Sequence, residues 1–214
     1  MELATQLLLF IHLLLIYMFS LSKKLILASN SPRRKQLLQE AGFIFDVQIL
    51  PTDESFPDTL PATEVAGYIS LQKAEMFRGP EFGDKLILTS DTVVILDGQI
   101  LTKPLDSKDA FDMLQSLSGR EHEVVTAVSL LSEGKVVTIS DTASVSFREL
   151  EDSEINHYIE HYKPFDKAGS YGIQEWIGMV GIEKINGSFY TIMGLPVHLV
   201  YQLLKPYKSQ QEES

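Results

Sequence analysis

The stretch Leu25 to Gly42, LILASNSPRRKQLLQEAG, constrains this chain more than any other. Leu25, Ile26, Leu27 and Ala28 form a short apolar run, and Ser29, Asn30 and Ser31 close it at once. Such a run bounded by turn residues reads as a buried strand. Pro32 follows directly, and proline suits the first helical position because its missing N–H has no partner there. The stretch therefore predicts strand, tight turn and helix, with Ser31 as the cap and Gly42 as the stop. Leu37, Leu38 and Ala41 supply the inward stripe. Arg33 and Arg34 sit in the first helical turn, where the dipole disfavours cations. Two arginines set against the local field point to an anion, and a polyphosphate is the obvious one. Two solvated surface arginines are the plain alternative.

Composition narrows what that anion belongs to. The chain has 214 residues, of which 44% are hydrophobic, enough for one large domain or two small lobes around a cleft. Its net charge of −11 argues against a general nucleic-acid surface, which would be basic. A small anionic ligand stays compatible if basic residues gather in a cleft. There is no cysteine, so disulfides and thiolate metal sites are excluded, and a reducing compartment fits.

Residues 7–21, LLLFIHLLLIYMFSL, are nearly all apolar, yet no basic leader precedes them and no small-residue cleavage site follows. The run falls short of the ~20 residues a spanning helix usually needs, and it holds His12, read as incidental. A marginal membrane anchor is one reading. The favoured one is a start at Met18, with residues 1–17 outside the fold, a single domain over 18–207 and a frayed tail over 208–214.

Along the chain, Phe43, Phe45, Val47 and Ile49 alternate as in a half-buried strand. Pro51 to Pro57 is a loop carrying Asp53 and Glu54, with Asp58 just beyond. Thr63 to Arg78 has helical spacing, with Thr63 as cap and Val65, Ile69, Leu71, Ala74 and Met76 or Phe77 inward; Lys73 falls on the polar side or at a cleft edge. In Leu86 to Leu96, LILTSDTVVIL, two apolar runs flank Thr89 to Thr92, and Asp97-Gly98 signals a hairpin to Gln99–Leu101. A carboxylate inside a buried strand pair is costly without partners, which makes Asp91 a site candidate. The alternative is a carboxylate tied to neighbouring hydroxyls and backbone N–H groups. Lys103 follows the hairpin and could return toward Asp91.

Ser107 to Leu117 is an amphipathic helix. Glu123 to Leu131 and Lys135 to Phe147 form a hairpin or meander, with His122 a polar strand-end residue at its entrance. Glu154 to Tyr162 is a helix that Ser153 could cap. Lys163 to Gln174, KPFDKAGSYGIQ, interleaves Lys163, Asp166, Lys167 and Gln174 with Phe165, Ala168, Tyr171 and Ile173. Its glycines and proline rule out regular helix, so it reads as a loop packed against something. Trp176 is a packing residue. Gly178–Gly181 and Asn186-Gly187-Ser188 mark turns, with a strand between them and another after. Gly194-Leu195-Pro196 opens the last helix, with Val197, Val200, Leu203 and Leu204 inward.

Taken together and in order, these stretches resemble the Maf family of nucleoside triphosphate pyrophosphatases. The resemblance rests on Leu27-Ala-Ser29 with Ser31-Pro-Arg-Arg34, Ser90-Asp-Thr92, Lys103-Pro104, Asp166-Lys-Ala-Gly169 with Tyr171-Gly-Ile-Gln174, Ile185-Asn-Gly187 and Gly194-Leu-Pro196. It runs from about Lys24 to Lys205. The resemblance implies an α/β fold: an elongated mixed β-sheet with flanking helices, two lobes around a substrate cleft. It implies Asp91 as general base. Ser29, Arg33, Arg34, Lys73, Lys103 and Lys167 would bind the nucleotide, and Glu54 with Asp91 would hold a divalent cation, Mg²⁺ or Mn²⁺. Arg33, Thr92 and Gln174 match the branch acting on dTTP and UTP. The implied activity is release of diphosphate, a house-cleaning of nucleotide pools in the cytoplasm with a possible link to division arrest. The implied partner is a small-molecule nucleotide, with no nucleic acid or membrane, and a homodimer is the family expectation. The alternative from another class is a nucleotide-binding regulator of division without catalysis.

Overall fold

In the computed structural model, which describes residues 20–209, the opening stretch forms a strand, a turn and a helix. Strand β1 (Leu25–Leu27) is fully buried and leads into helix α1 (Pro32–Glu40). Pro32 stands in its first turn, and Ser31 Oγ caps it by accepting from the Arg34 N–H. The apolar run up to residue 19, with His12 and Met18, and the tail from residue 210 lie outside the described residues. Among the described residues no helix is long and apolar enough to cross a membrane.

The remaining strands are β2 (Asp46–Val47), β3 (Leu86–Leu96), β4 (Gln99–Leu101), β5 (Glu121–Ser132), β6 (Lys135–Phe147) and β7 (Ile182–Asn186). They join one mixed sheet in the order β2-β1-β3-β5-β6-β7, with β4 on the edge of β3. β1 runs parallel to β2 and β3, and every other pairing is antiparallel.

β3 is the hub because both of its faces are covered. Leu88, Val94 and Leu96 enter the main core, with Leu37 and Leu38 of α1, Leu114 of α3 (Ser107–Leu117) and Ile155 of α4 (Asp152–Tyr162). Val93 and Ile95 face the other way, onto Val65, Ala66 and Ile69 of α2 (Ala62–Glu75). Two-sided burial explains why the apolar runs at the two ends of the strand do not alternate with polar residues. Its period of two also sends Asp91 toward α2 and Thr92 toward α1.

One edge of β3 changes partner midway. β1 pairs with it at Leu86–Leu88 and β4 at Val94–Leu96, whereas β5 follows it from Ile87 to Ile95. Thr89 to Val93 therefore have a strand on one side only. The opening lies there.

Several local expectations are revised. Of the alternating residues 43–49 only Phe43 is buried, and the strand shrinks to β2, because this segment forms the sheet edge. α2 starts at Ala62, after Pro61, with no side-chain cap; Leu71 and Met76 are exposed and Phe77 is buried. α4 starts at Asp152, closed by a reciprocal pair between Glu151 and Glu154. Gly178–Gly181 lies in a short helix, α5 (Trp176–Gly181). The strand expected after Ser188 is instead helix α6 (Phe189–Met193), ahead of α7 (Val197–Leu204). Burial of Thr191, Ile192 and Met193 overrides the β preference of that aromatic and β-branched run. His122 is 2% exposed within the core.

Candidate active site

The bare edge of β3 opens into a cleft of about 480 Å³. Every candidate site residue singled out from the sequence lines it: Ser29, Arg33, Arg34, Glu54, Lys73, Asp91, Thr92, Lys103, Lys167 and Gln174. Lys73 comes from α2, Glu54 from the loop after β2 and Lys103 from the segment after β4; the rest come from three elements. The turn after β1 and the start of α1 form one wall, β3 the floor, and the loop after α4 the opposite wall.

Arg34 closes part of the gap in the sheet. Its Nη1 donates to the Ser90 carbonyl at 2.8 Å, a group with no strand partner on that edge. Nε donates to the Gly194 carbonyl at 2.8 Å and Nη2 to Thr92 Oγ1 at 3.0 Å. Nη1 also reaches Ser29 Oγ at 3.4 Å. Ser90 Oγ donates to the same Gly194 carbonyl at 3.1 Å. Gly194 has a φ of +103°, and a Cβ there would stand 3.3 Å from Thr92 Oγ1. Burial lowers the Arg34 pKa, and the charge of Asp91 opposes that shift. The guanidinium remains charged, as arginine does in proteins.

On the other face of β3, Asp91 Oδ1 accepts from Lys73 Nζ at 2.7 Å. The same ammonium lies 2.7 Å from Glu54 Oε1, on the loop after β2. Lys73 and Asp91 side chains are 16% and 13% exposed, so this pair is largely withdrawn from water. Burial raises the Glu54 pKa, but the hydrogen bond and charge of Lys73, with Lys103 and Arg34 beyond, outweigh it and hold the carboxyl below its ordinary value. Asp91 makes no other side-chain hydrogen bond among the described residues. Its second oxygen is left for a ligand or a water.

The mouth is ringed by cations. Arg33 Nη1 meets Asp166 Oδ2 at 2.8 Å, which joins α1 to the loop after α4. Lys167 is 7% exposed and held by Asp166 at 2.8 Å and Glu175 at 3.1 Å. Burial raises the Asp166 pKa, and Lys167 and Arg33 outweigh it, so the carboxyl stays below the usual range. Lys103 and Gln174 are exposed, and Lys103 makes no ion pair among the described residues. Sequence reasoning missed the pairing of Asp166 with Arg33. A signal was available: an acid next to a lysine in a loop too apolar to be solvated.

Three or more His, Asp or Glu side chains placed to hold a metal ion do not occur among the described residues. Glu54 and Asp91 do present two hard carboxylates around one point, and Lys73 stands between them.

Known proteins match the chain over most of its length. The family profile described as Maf-like protein matches residues 24–207. A dTTP/UTP pyrophosphatase of Phocaeicola vulgatus is 50% identical over 183 residues, covering 85% of this chain and 95% of that protein. One of Parabacteroides distasonis is 45% identical over 185 residues, covering 86% and 96%. Among solved structures, the Staphylococcus aureus Ham1 protein shares 14% identity over 58% of this chain and 72% of that one, with a TM-score of 0.41.

Proposed function

The chain belongs to the Maf family, and from that premise we propose that it is a nucleoside triphosphate pyrophosphatase that converts dTTP and UTP to the monophosphate and diphosphate. The observation that carries the reading is Asp91, a largely buried carboxylate 2.7 Å from Lys73 on the floor of a cleft edged by Arg33, Lys103 and Lys167. Attack at the α-phosphorus expels diphosphate and concentrates negative charge on the leaving group. Fixed cations around that group stabilise charge as it develops. Asp91 accepts the proton of the attacking water through the oxygen that Lys73 leaves open. Arg34 holds the bare edge of β3 in shape through its bonds to the Ser90 and Gly194 carbonyls and to Thr92. Arg33, Thr92 and Gln174 select the base, and Ser29 completes the wall.

Glu54 and Asp91 are the residues that would hold Mg²⁺ or Mn²⁺. Two carboxylate oxygens beside a polyphosphate fit the preference of Mg²⁺ for a few protein oxygens plus substrate phosphates. When bound, the ion would neutralise phosphate charge. On this reading the fold is one domain over residues 18–207, acting as a homodimer on cytoplasmic nucleotide pools; the absence of cysteine supports a reducing compartment.

The test is diphosphate release from dTTP, UTP, CTP and 7-methyl-GTP with Mg²⁺ or Mn²⁺. Turnover of dTTP and UTP above the other two supports the proposal. Tight binding of dTTP without release of diphosphate would instead identify a non-catalytic nucleotide-binding regulator.

A further inference from the structure

A chain of hydrogen bonds leaves the cleft through β3 and ends under α6, and each proton in it has one possible direction. Arg34 Nη2 can only donate, and it donates to Thr92 Oγ1 at 3.0 Å. Thr126 stands opposite Thr92 in the β3–β5 register, and its side chain is fully buried. Its hydroxyl donates to the Thr191 carbonyl at 2.7 Å, an oxygen that can only accept. Thr126 has one hydroxyl proton, and that bond uses it. The 3.0 Å contact between the two threonines is therefore donated by Thr92. Thr92 has now committed its own proton away from the cleft and one lone pair to Arg34. Thr92 lines the cleft and, with those bonds made, has one lone pair left and nothing to donate.

A hydroxyl free to rotate accepts or donates as its partner requires. Thr92 has lost that freedom to a residue that does not line the cleft. We propose that Thr126 is a positioning residue for base selection: by taking the Thr92 proton it makes Thr92 an obligate acceptor, matched to the ring N3–H of a uracil or thymine and mismatched to the bare N3 of cytosine. This rests on the pyrimidine nucleotide reading above and assigns it a cause. A buried acceptor facing another acceptor leaves both unpaired, which is how a polar site rejects a near-isostere.

The test is binding of α,β-methylene UTP and α,β-methylene CTP, measured by calorimetry on the full chain and on Thr126→Val and Thr126→Ser. The two ligands share ribose and triphosphate, so contacts to either leave their affinity ratio unchanged. Thr126→Val keeps the shape, removes the acceptor and frees the Thr92 proton. It should narrow the preference for the uracil ligand by about tenfold, as expected for one unpaired group, and Thr126→Ser should keep it. An unchanged ratio in a folded Thr126→Val overturns the proposal, as does equal weakening of both ligands. Should that variant not fold, Thr126→Ala takes its place: an unchanged ratio overturns the proposal, and a narrowing of about tenfold upholds it. Wild-type protein that binds the uracil ligand but never hydrolyses UTP contradicts the pyrophosphatase reading alone, because the affinity ratio is still measured. Wild-type protein that binds neither ligand overturns both.

Discussion

Lys73 Nζ lies 2.7 Å from Asp91 Oδ1 and 2.7 Å from Glu54 Oε1, so one ammonium ties the central strand to the loop across the cleft. α2 carries Lys73 there because Ala74, one residue on, is fully buried and pins that turn of the helix. Replacing Lys73 by Met leaves Asp91 unpaired in a largely buried position. The expected cost is about 3 kcal/mol of stability, the range for breaking one partner out of a buried pair, together with a fall in turnover. Urea unfolding and diphosphate release measured on the same preparation check both.

Arg34→Lys is not a conservative change here. A lysine cannot reach the Gly194 and Ser90 carbonyls and Thr92 Oγ1 from one fixed plane, as the guanidinium does. The expected loss is about 2–4 kcal/mol of stability, from charge-assisted bonds lost at the Ser90 and Gly194 carbonyls, the latter keeping only Ser90 Oγ as a side-chain donor. Thermal unfolding of the variant measures it.

Lys103→Ala should separate stability from catalysis. Lys103 is exposed and makes no ion pair among the described residues, so unfolding should change by less than about 0.5 kcal/mol. If Lys103 grips the polyphosphate as proposed, its loss should lower kcat/KM by the equivalent of about 2–4 kcal/mol, as for a single electrostatic donor. Steady-state kinetics with dTTP provide the comparison.

His122 sets a pH dependence of stability. Its Nε2 is 2.7 Å from the Tyr171 hydroxyl, and burial lowers its pKa to about 4. The unfolded chain binds a proton near the ordinary value of about 6.5. Between those values the unfolded state holds more protons than the folded one. Stability is therefore full above pH ~6.5 and falls as the pH drops toward 4, by about 3 kcal/mol in all. Denaturant midpoints at pH 7.5 and 4.5 should differ less for His122→Gln than for the wild type.

Much of this was readable in the residues themselves. The strand, cap and helix of Leu25 to Gly42 are local chemistry, so they could be read directly. Asp91 stood out because an acid in an apolar strand has few inexpensive explanations. The misreadings share one cause, which is tertiary packing. Phe189–Met193 looks like a strand by propensity, yet it is a helix that buries Thr191, Ile192 and Met193 and leaves Phe189 and Tyr190 exposed. Phe45, Val47 and Ile49 alternate, but among the described residues β2 is an edge strand paired with β1 alone and only Asp46–Val47 join it. Thr126 could not be singled out, because one threonine in a Val- and Thr-rich strand looks like any other until its register with Thr92 is known. The capture of Arg33 by Asp166 likewise joins residues far apart in the chain.

The most direct measurement is the rate of diphosphate release from dTTP by the wild-type protein and by Asp91→Asn at saturating substrate with Mg²⁺. The amide keeps the shape of the carboxylate but cannot accept the proton of the attacking water. The account predicts turnover by the wild type and loss of most of it in Asp91→Asn, by about 10²-fold or more as for a missing general base. Near-normal turnover by Asp91→Asn would contradict it.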